Sequence, residues 1–250
     1  MAASEGGFSP LILGGKGVPQ GEVQSLVLVA YLIPNEKEEA VVCTGTVVAP
    51  LVVLTAAHCI EPKNVNVVVE NFRVVAGSVN WKVPPRRILD VTRVTAYPGH
   101  DVSTGFGDVA VLQLASPAEV PATQVAGRHF WSGPTPAKMV GWGKTSPAQH
   151  RATYVLHRAG TVIQPDRLCE MLGAAPGLLC TAGTRRLRTS ACYGDSGGPL
   201  LIRQPWDGRL VAAGVLYGGS ACNRNSGVNY YTPSYRFGKW LRARIAEAEA

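Results

Sequence analysis

The chain has 250 residues, 46% hydrophobic and 16% charged. That balance excludes disorder and requires a packed core, as one large all-β domain or two small domains. The net charge is +7, but the basic residues fall in short scattered groups such as Arg86-Arg87 and Arg185-Arg186-Leu187-Arg188, which read as solvated surface and not as a nucleic-acid stripe.

Met1–Leu11 is polar and Gly-containing and reads as a short pro-segment or disordered tail. It has neither the basic n-region nor the apolar h-region of a signal peptide. Short runs rich in Val, Ile, Leu and Thr follow, broken by Gly, Pro and Asn. They are Leu26–Ile33, Val41–Val48, Val52–Thr55, Val65–Val69, Val74–Ala76, Ile88–Thr95 and Val109–Leu114. Such composition suits strands. The longest apolar run, Leu26–Ile33, is too short to span a membrane. Ala115–Val125, rich in Pro and Ala, reads as a linker between halves. A second set of strands is expected at Ala137–Gly141, Thr153–Val162, Gly177–Thr181, Pro199–Ile202, Leu210–Tyr217 and Val228–Tyr231, with a short helix within Gln164–Leu172. Phe237, Trp240, Leu241 and Ile245 recur at helical spacing, which predicts a C-terminal helix docked by its apolar face. Many short strands without normal-length amphipathic helices between them argue for a barrel or a sandwich.

Six cysteines occur, none in a C-x-x-C pair, and no H-x-x-x-H is present. Zinc therefore has no obvious ligand set. Disulfides fit better and imply an oxidising compartment, although six cysteines allow 15 pairings. Disulfides beside a Met1–Leu11 without an export signal imply a precursor that starts upstream, or an added Met1.

The chemistry centres on Cys192-Tyr193-Gly194-Asp195-Ser196-Gly197-Gly198-Pro199-Leu200. A serine among glycines sits on a turn with an exposed hydroxyl and free backbone N–H groups. Those supply a nucleophile and donors for an oxyanion. The same run also reads as a plain loop, or as the G-x-S-x-G elbow of α/β-hydrolases. The order of the partners separates these readings. All the histidines (His58, His100, His129, His150 and His157) precede Ser196, whereas the elbow needs its histidine afterwards. No Asp precedes His58, which removes the subtilisin order for that histidine. The order His, Asp, Ser remains.

Thr55-Ala56-Ala57-His58-Cys59, Gly107-Asp108-Val109-Ala110-Val111-Leu112-Gln113-Leu114 and Cys192–Leu200 together resemble the histidine, aspartate and serine motifs of the trypsin-like (chymotrypsin-fold) serine protease family. Ile12-Leu13-Gly14-Gly15 resembles that family's mature N-terminus, and Gly141-Trp142-Gly143 matches a further signature. The general Ser-His-Asp template of enzymology is itself drawn from this family. The resemblance implies an all-β fold of two six-stranded antiparallel β-barrels with a C-terminal helix. The N-terminal barrel would cover about 12–120, the C-terminal barrel about 121–233 and the helix about 234–247, within a peptidase domain at 12–250. It implies disulfides Cys43–Cys59, Cys169–Cys180 and Cys192–Cys222.

The resemblance assigns Ser196 as nucleophile, His58 as general base and Asp108 as its orienting acid, with Asp101 the competing acid. The Gly194 and Ser196 N–H groups would form the oxyanion hole. Asp195 would pair with an Ile12 amine freed by cleavage. Ser190, Gly218 and Gly227 would line an uncharged substrate pocket that favours large apolar or aromatic P1 side chains. No metal or other cofactor is implied. The expected partners are polypeptide substrates and protein inhibitors, with no nucleic acid and no membrane span, for a secreted monomer. Three departures stand out. Pro10-Leu11, not a basic residue, precedes Ile12. Leu216 stands where counting places a serine that supports the triad aspartate. Thr44 replaces a common glycine. The alternative reading is a weak or latent protease homologue acting as a binding module.

Overall fold

The computed structural model describes residues 12–33, 40–61, 67–131, 133–183, 189–219, 222 and 227–250. The expected tail at Met1–Leu11 and the Arg185–Arg188 loop lie outside them. Six antiparallel strands close the first barrel: β2 (Leu26–Leu32), β3 (Ala40–Ala49), β4 (Val52–Thr55), β5 (Phe72–Ala76), β6 (Arg87–Ala96) and β7 (Ala110–Leu114), in the order β2-β3-β4-β7-β6-β5. The second barrel uses β8 (Thr135–Gly141), β9 (His157–Ile163), β10 (Leu179–Ala182), β11 (Pro199–Arg203), β12 (Leu210–Gly219) and β13 (Asn229–Pro233). Its ring runs β8-β9-β10-β13-β12-β11 and returns to β8 through the Leu200↔Met139 and Leu201↔Lys138 pairs. Closure pairs the edge strands that an open sheet would leave exposed. A two-residue strand, β1 (Lys16–Gly17), joins the outside of β9.

Alternation explains the barrels. Along β9 every second residue from His157 to Ile163 is buried, the period that puts one face of a strand inward. Tyr31 and Phe72 meet edge to face at 4.9 Å inside the first barrel, with Val27, Val53, Leu54 and Leu112. Ile163, Leu179, Leu200, Val211 and Tyr231 fill the second, together with Ile12 from the N-terminal segment. A third cluster joins Leu28 and Val75 of the first barrel to Val140, Leu201 and Ala212 of the second. Each such large buried side chain contributes about 1.5–3 kcal/mol relative to exposure. This seam positions the site, which draws on both barrels.

The C-terminal helix, α2 (Gly238–Ala248), returns to the first barrel. Phe237 and Leu241 join its core, and Trp240 stands edge-on to Tyr97 at 5.5 Å. Trp240 is thus a packing residue, as its spacing predicts. The short helix α1 occupies Asp166–Met171.

Two strand expectations need correction. Val67 and Val68 are exposed and Val69–Asn71 is a single 3-10 turn, so no strand runs to Val69 (positions 65 and 66 lie outside the described residues). Thr153–Leu156 is also not part of β9. Its backbone bonds are taken by loops: Thr153 N–H donates to Trp142 O, and Leu156 N–H donates to Val79 O. Among the described residues, no helix is long and apolar enough to cross a membrane.

Candidate active site

The histidine turn begins where β4 ends. Ala56 is extended, and Ala57–Cys59 then form one 3-10 turn that carries His58. The Cys43–Cys59 disulfide ties this turn to β3. His58 is half-buried, with its side chain 38% exposed.

Asp108 sits one residue past Gly107, whose positive φ of 67° suits a glycine. Its carboxylate is fully buried, at 0% exposure. Oδ1 accepts the His58 backbone N–H at 2.8 Å, and Oδ2 lies 2.6 Å from His58 Nδ1. With Asp108 Oδ2 as the acceptor, Nδ1 carries the proton and Nε2 is left without one. The Thr232 hydroxyl donates to the Asp108 carbonyl at 3.2 Å, which joins β13 of the second barrel to this residue of the first. Asp101, the rival acid, is exposed. Ser103 and Thr104 donate to its oxygens and hold its carboxyl below the usual range.

The serine loop is a tight turn. Asp195 N–H donates to Cys192 O, and Gly194 has φ 99°. A positive φ at the third position of such a turn is the type II geometry that glycine supplies. The Tyr193 carbonyl accepts Lys144 N–H at 2.7 Å. Across a trans peptide the next N–H points the opposite way, so Gly194 N–H is aimed away from Lys144. Neither Gly194 N–H nor Ser196 N–H has an acceptor among the described residues. Gly197 lies against Thr55 and Ala56, leaving no room for a Cβ, and so seats Ser196 beside the histidine turn. The Ser196 carbonyl accepts Thr44 N–H at 2.8 Å. Ser196 Oγ and His58 Nε2 are not hydrogen-bonded in this structure. Catalytic bonds are often long before substrate binds.

Thr44 does more than replace a glycine. Its fully buried hydroxyl donates to the Gly194 carbonyl at 2.9 Å and accepts Trp142 N–H at 3.2 Å. One oxygen of the first barrel thereby pins two loops of the second. Sequence reasoning missed this role, because neither partner is near Thr44 along the chain.

Asp195 is buried among donors. Gly143 N–H reaches Oδ1 at 2.8 Å and Cys192 N–H reaches Oδ2 at 2.9 Å. Burial nevertheless outweighs these bonds and pushes its carboxyl up to about 7. Asp195 shares a small cavity with Ile12, Met139 and Leu216. Leu216 therefore faces this cavity. Its backbone pairs with Gly197 and Gly198, and as a leucine its side chain has no donor to offer Asp108.

The expected substrate pocket has a buried floor. Ser190 is 0% exposed, and so is Asn229. Asn229 Oδ1 accepts Ala191 N–H at 2.9 Å and lies 3.5 Å from Ser190 Oγ. The Asn229 side chain thus crosses from β13 to the Ser190 segment, a feature sequence reasoning missed. Gly218 faces open space, whereas a Cβ on Gly227 would meet Thr189 O at 2.9 Å. The Cys192–Cys222 disulfide closes the wall, and Cys169–Cys180 ties α1 to β10. Cys43, Cys59 and His58 lie together, but both sulfurs are disulfide-bonded and offer no thiolate to a metal.

Two closed barrels with this cleft residue set define the trypsin-like serine protease class. The Trypsin family model matches residues 12–241, and the chain belongs to that family. It is 28% identical to Vitamin K-dependent protein C of Oryctolagus cuniculus over 96% of this chain and 54% of that protein. It is 30% identical to a Trypsin of Saccharopolyspora erythraea over 78% of this chain and 82% of that protein. The chain thus spans about half the length of the former relative and most of the latter.

The Thr44 and Asp195 contacts can each be tested. Thr44→Val keeps the shape and removes the hydroxyl, leaving Gly194 O and Trp142 N–H unpaired. It should lower unfolding free energy in urea by about 1–3 kcal/mol, while Thr44→Ser stays near the parent. The second test concerns pH. Asp195 titrates near 7 when folded and near 3.8 when unfolded. Between these values the folded state binds the extra proton, so its stability contribution is full below about pH 4 and falls as pH rises through 7. Buried His157 acts the other way, since burial pushes it down to about 4 and costs stability as pH falls below 6.5. Comparison with Asp195→Asn isolates the first effect. In the chain that retains residues 1–11, the parent should lose about 4 kcal/mol relative to the variant between pH 4 and 7. A constant difference across that range in urea melts would contradict the assignment.

Proposed function

We propose that the chain is a serine endopeptidase that cleaves polypeptides through an acyl-enzyme. The observation that carries this reading is the fully buried Asp108 carboxylate accepting both the backbone and ring N–H of His58 beside the Ser196 turn. In this mechanism His58 Nε2 takes the proton from Ser196 Oγ as that oxygen attacks the scissile carbonyl. Asp108 holds the ring in the required tautomer and stabilises the imidazolium. The Gly194 and Ser196 N–H groups, both without acceptors among the described residues, receive the oxyanion. His58 then returns its proton to the leaving amine, and a water repeats the sequence on the ester.

Activation follows from Asp195. A free Ile12 amine in the shared cavity would supply the cation this buried carboxylate lacks among the described residues, and a buried charge without a partner is costly. Pro10-Leu11 ahead of Ile12 calls for an activator with apolar preference. The three disulfides suit a secreted monomer that meets protein substrates and inhibitors outside the cell.

Ser190 leaves the pocket floor uncharged, so the P1 preference is for large apolar or aromatic side chains over Lys or Arg. Asn229 sets the depth of that slot. The second reading, a latent homologue that binds without cleaving, rests on the unformed bond between Ser196 and His58.

Labelling with a fluorophosphonate separates the readings. A chain starting at Ile12 should label at Ser196 and hydrolyse peptides, the full chain should label more slowly, and Ser196→Ala should lose at least about 10,000-fold in kcat. No labelling of either form would favour the binding module. For the pocket, Asn229→Gly should raise kcat/KM for Phe or Trp relative to Val at P1 by about 10-fold, and Ser190→Asp should admit Arg. Unchanged profiles in both variants, read on a P1 peptide library, would remove these residues from the specificity site.

A further inference from the structure

One close neighbour of the Asp108 carboxylate has no part in the mechanism above. His100 Nε2 lies 3.5 Å from Asp108 Oδ1, and its Nδ1 lies 3.6 Å from Glu61 Oε2. The His100 side chain is only 8% exposed, while Glu61 is 52% exposed. A second imidazole therefore bridges the buried carboxylate to an acid at the protein surface.

The backbone holds this ring in place. His100 N–H donates to Tyr97 O, and Tyr97 N–H donates to Val109 O, one residue past Asp108. Asp101 N–H donates to Phe106 O, which closes the intervening loop as a short hairpin. His100 and Asp108 thus approach across the base of that hairpin. Asp101, the next acid along the chain, is turned to solvent and occupied by Ser103 and Thr104, so it does not compete for the ring.

We infer that His100 is a positioning residue for the reaction: its imidazole holds the Asp108 carboxylate at Oδ1, the oxygen that also accepts the His58 backbone N–H. The inference rests on the proposed triad. The chemistry is constrained by the acceptors. A ring with its proton on Nε2 presents a donor to Asp108, and a doubly protonated ring presents donors to Asp108 and Glu61 together. A ring protonated on Nδ1 alone would set a lone pair against a carboxylate. At 3.5 Å the approach is longer than a full hydrogen bond and acts through the polarity of the ring. Beside a fully buried carboxylate such an approach still counts, because the protein interior screens charge less than bulk water does. Asp108 Oδ1 already takes the His58 backbone N–H. His100 thereby adds a polar neighbour at a carboxylate that Leu216 does not support.

A ring that merely fills space would be replaced well by phenylalanine. His100→Phe and His100→Gln test this in the chain starting at Ile12. The Phe variant should lose about 10- to 100-fold in kcat with KM within about twofold, since a misaimed base slows chemistry without weakening binding. The Gln variant, which retains a donor, should recover most of the loss. The low-field proton resonance of His58 Nδ1–H should move or broaden in the Phe variant and return in the Gln variant. Parental kcat and an unmoved resonance in the Phe variant would overturn the inference. So would a Gln variant as impaired as the Phe variant with equal loss of thermal stability. If the Phe variant fails to fold, the Gln variant and Glu61→Gln give the same two readouts. Failure of the parent to label with fluorophosphonate would sink the triad reading instead, and the proton resonance would still report whether His100 acts on Asp108.

Discussion

A carboxylate removed from water is costly unless donors replace its hydration. Asp108 is such a group, and much of the molecule is arranged around it. The His58 turn supplies two donors, β7 starts just after it, and β13 of the opposite barrel fastens its carbonyl through Thr232. The two barrels therefore meet at a polar contact as well as across the apolar seam of Leu28, Val140 and Leu201. Aspartate and histidine come from the first barrel and serine from the second, so the quality of that seam sets the geometry of the whole site.

The second constraint is the loop that carries Ser196. It is held from several directions by short bonds: Thr44 to Gly194, Lys144 to Tyr193, Gly143 to Asp195 and Leu216 to Gly197. The N–H groups of Gly194 and Ser196 have no acceptor among the described residues. The weak point in this arrangement is Asp195, whose charge is accommodated by two backbone donors.

The local signals are readable where chemistry and backbone coincide. His58 follows a buried strand, Asp108 precedes one, and the glycines around Ser196 mark a turn, so short windows suffice for all three. The Gly194 φ of 99° and the Gly197 φ of 78° explain why glycine occupies those positions. Legibility fails where counting replaces contact. Leu216 lines the small cavity beside Ile12 and Asp195, a setting that its place along the chain does not show. Asn229 reaches the Ser190 segment from β13, a contact that no short window of sequence shows. Val67 and Val68 have strand composition and no partner strand to bury them.

The sequence by itself determined the family, the two-barrel all-β class and the identities of the candidate triad, because those depend on short motifs and on side-chain chemistry that any neighbour would leave intact. Tertiary structure alone decided that Thr44 would latch Gly194 across 150 positions of chain and that His100 would stand against Asp108. Such contacts depend on how closed sheets and folded loops aim side chains at one another, which no local pattern of residues encodes.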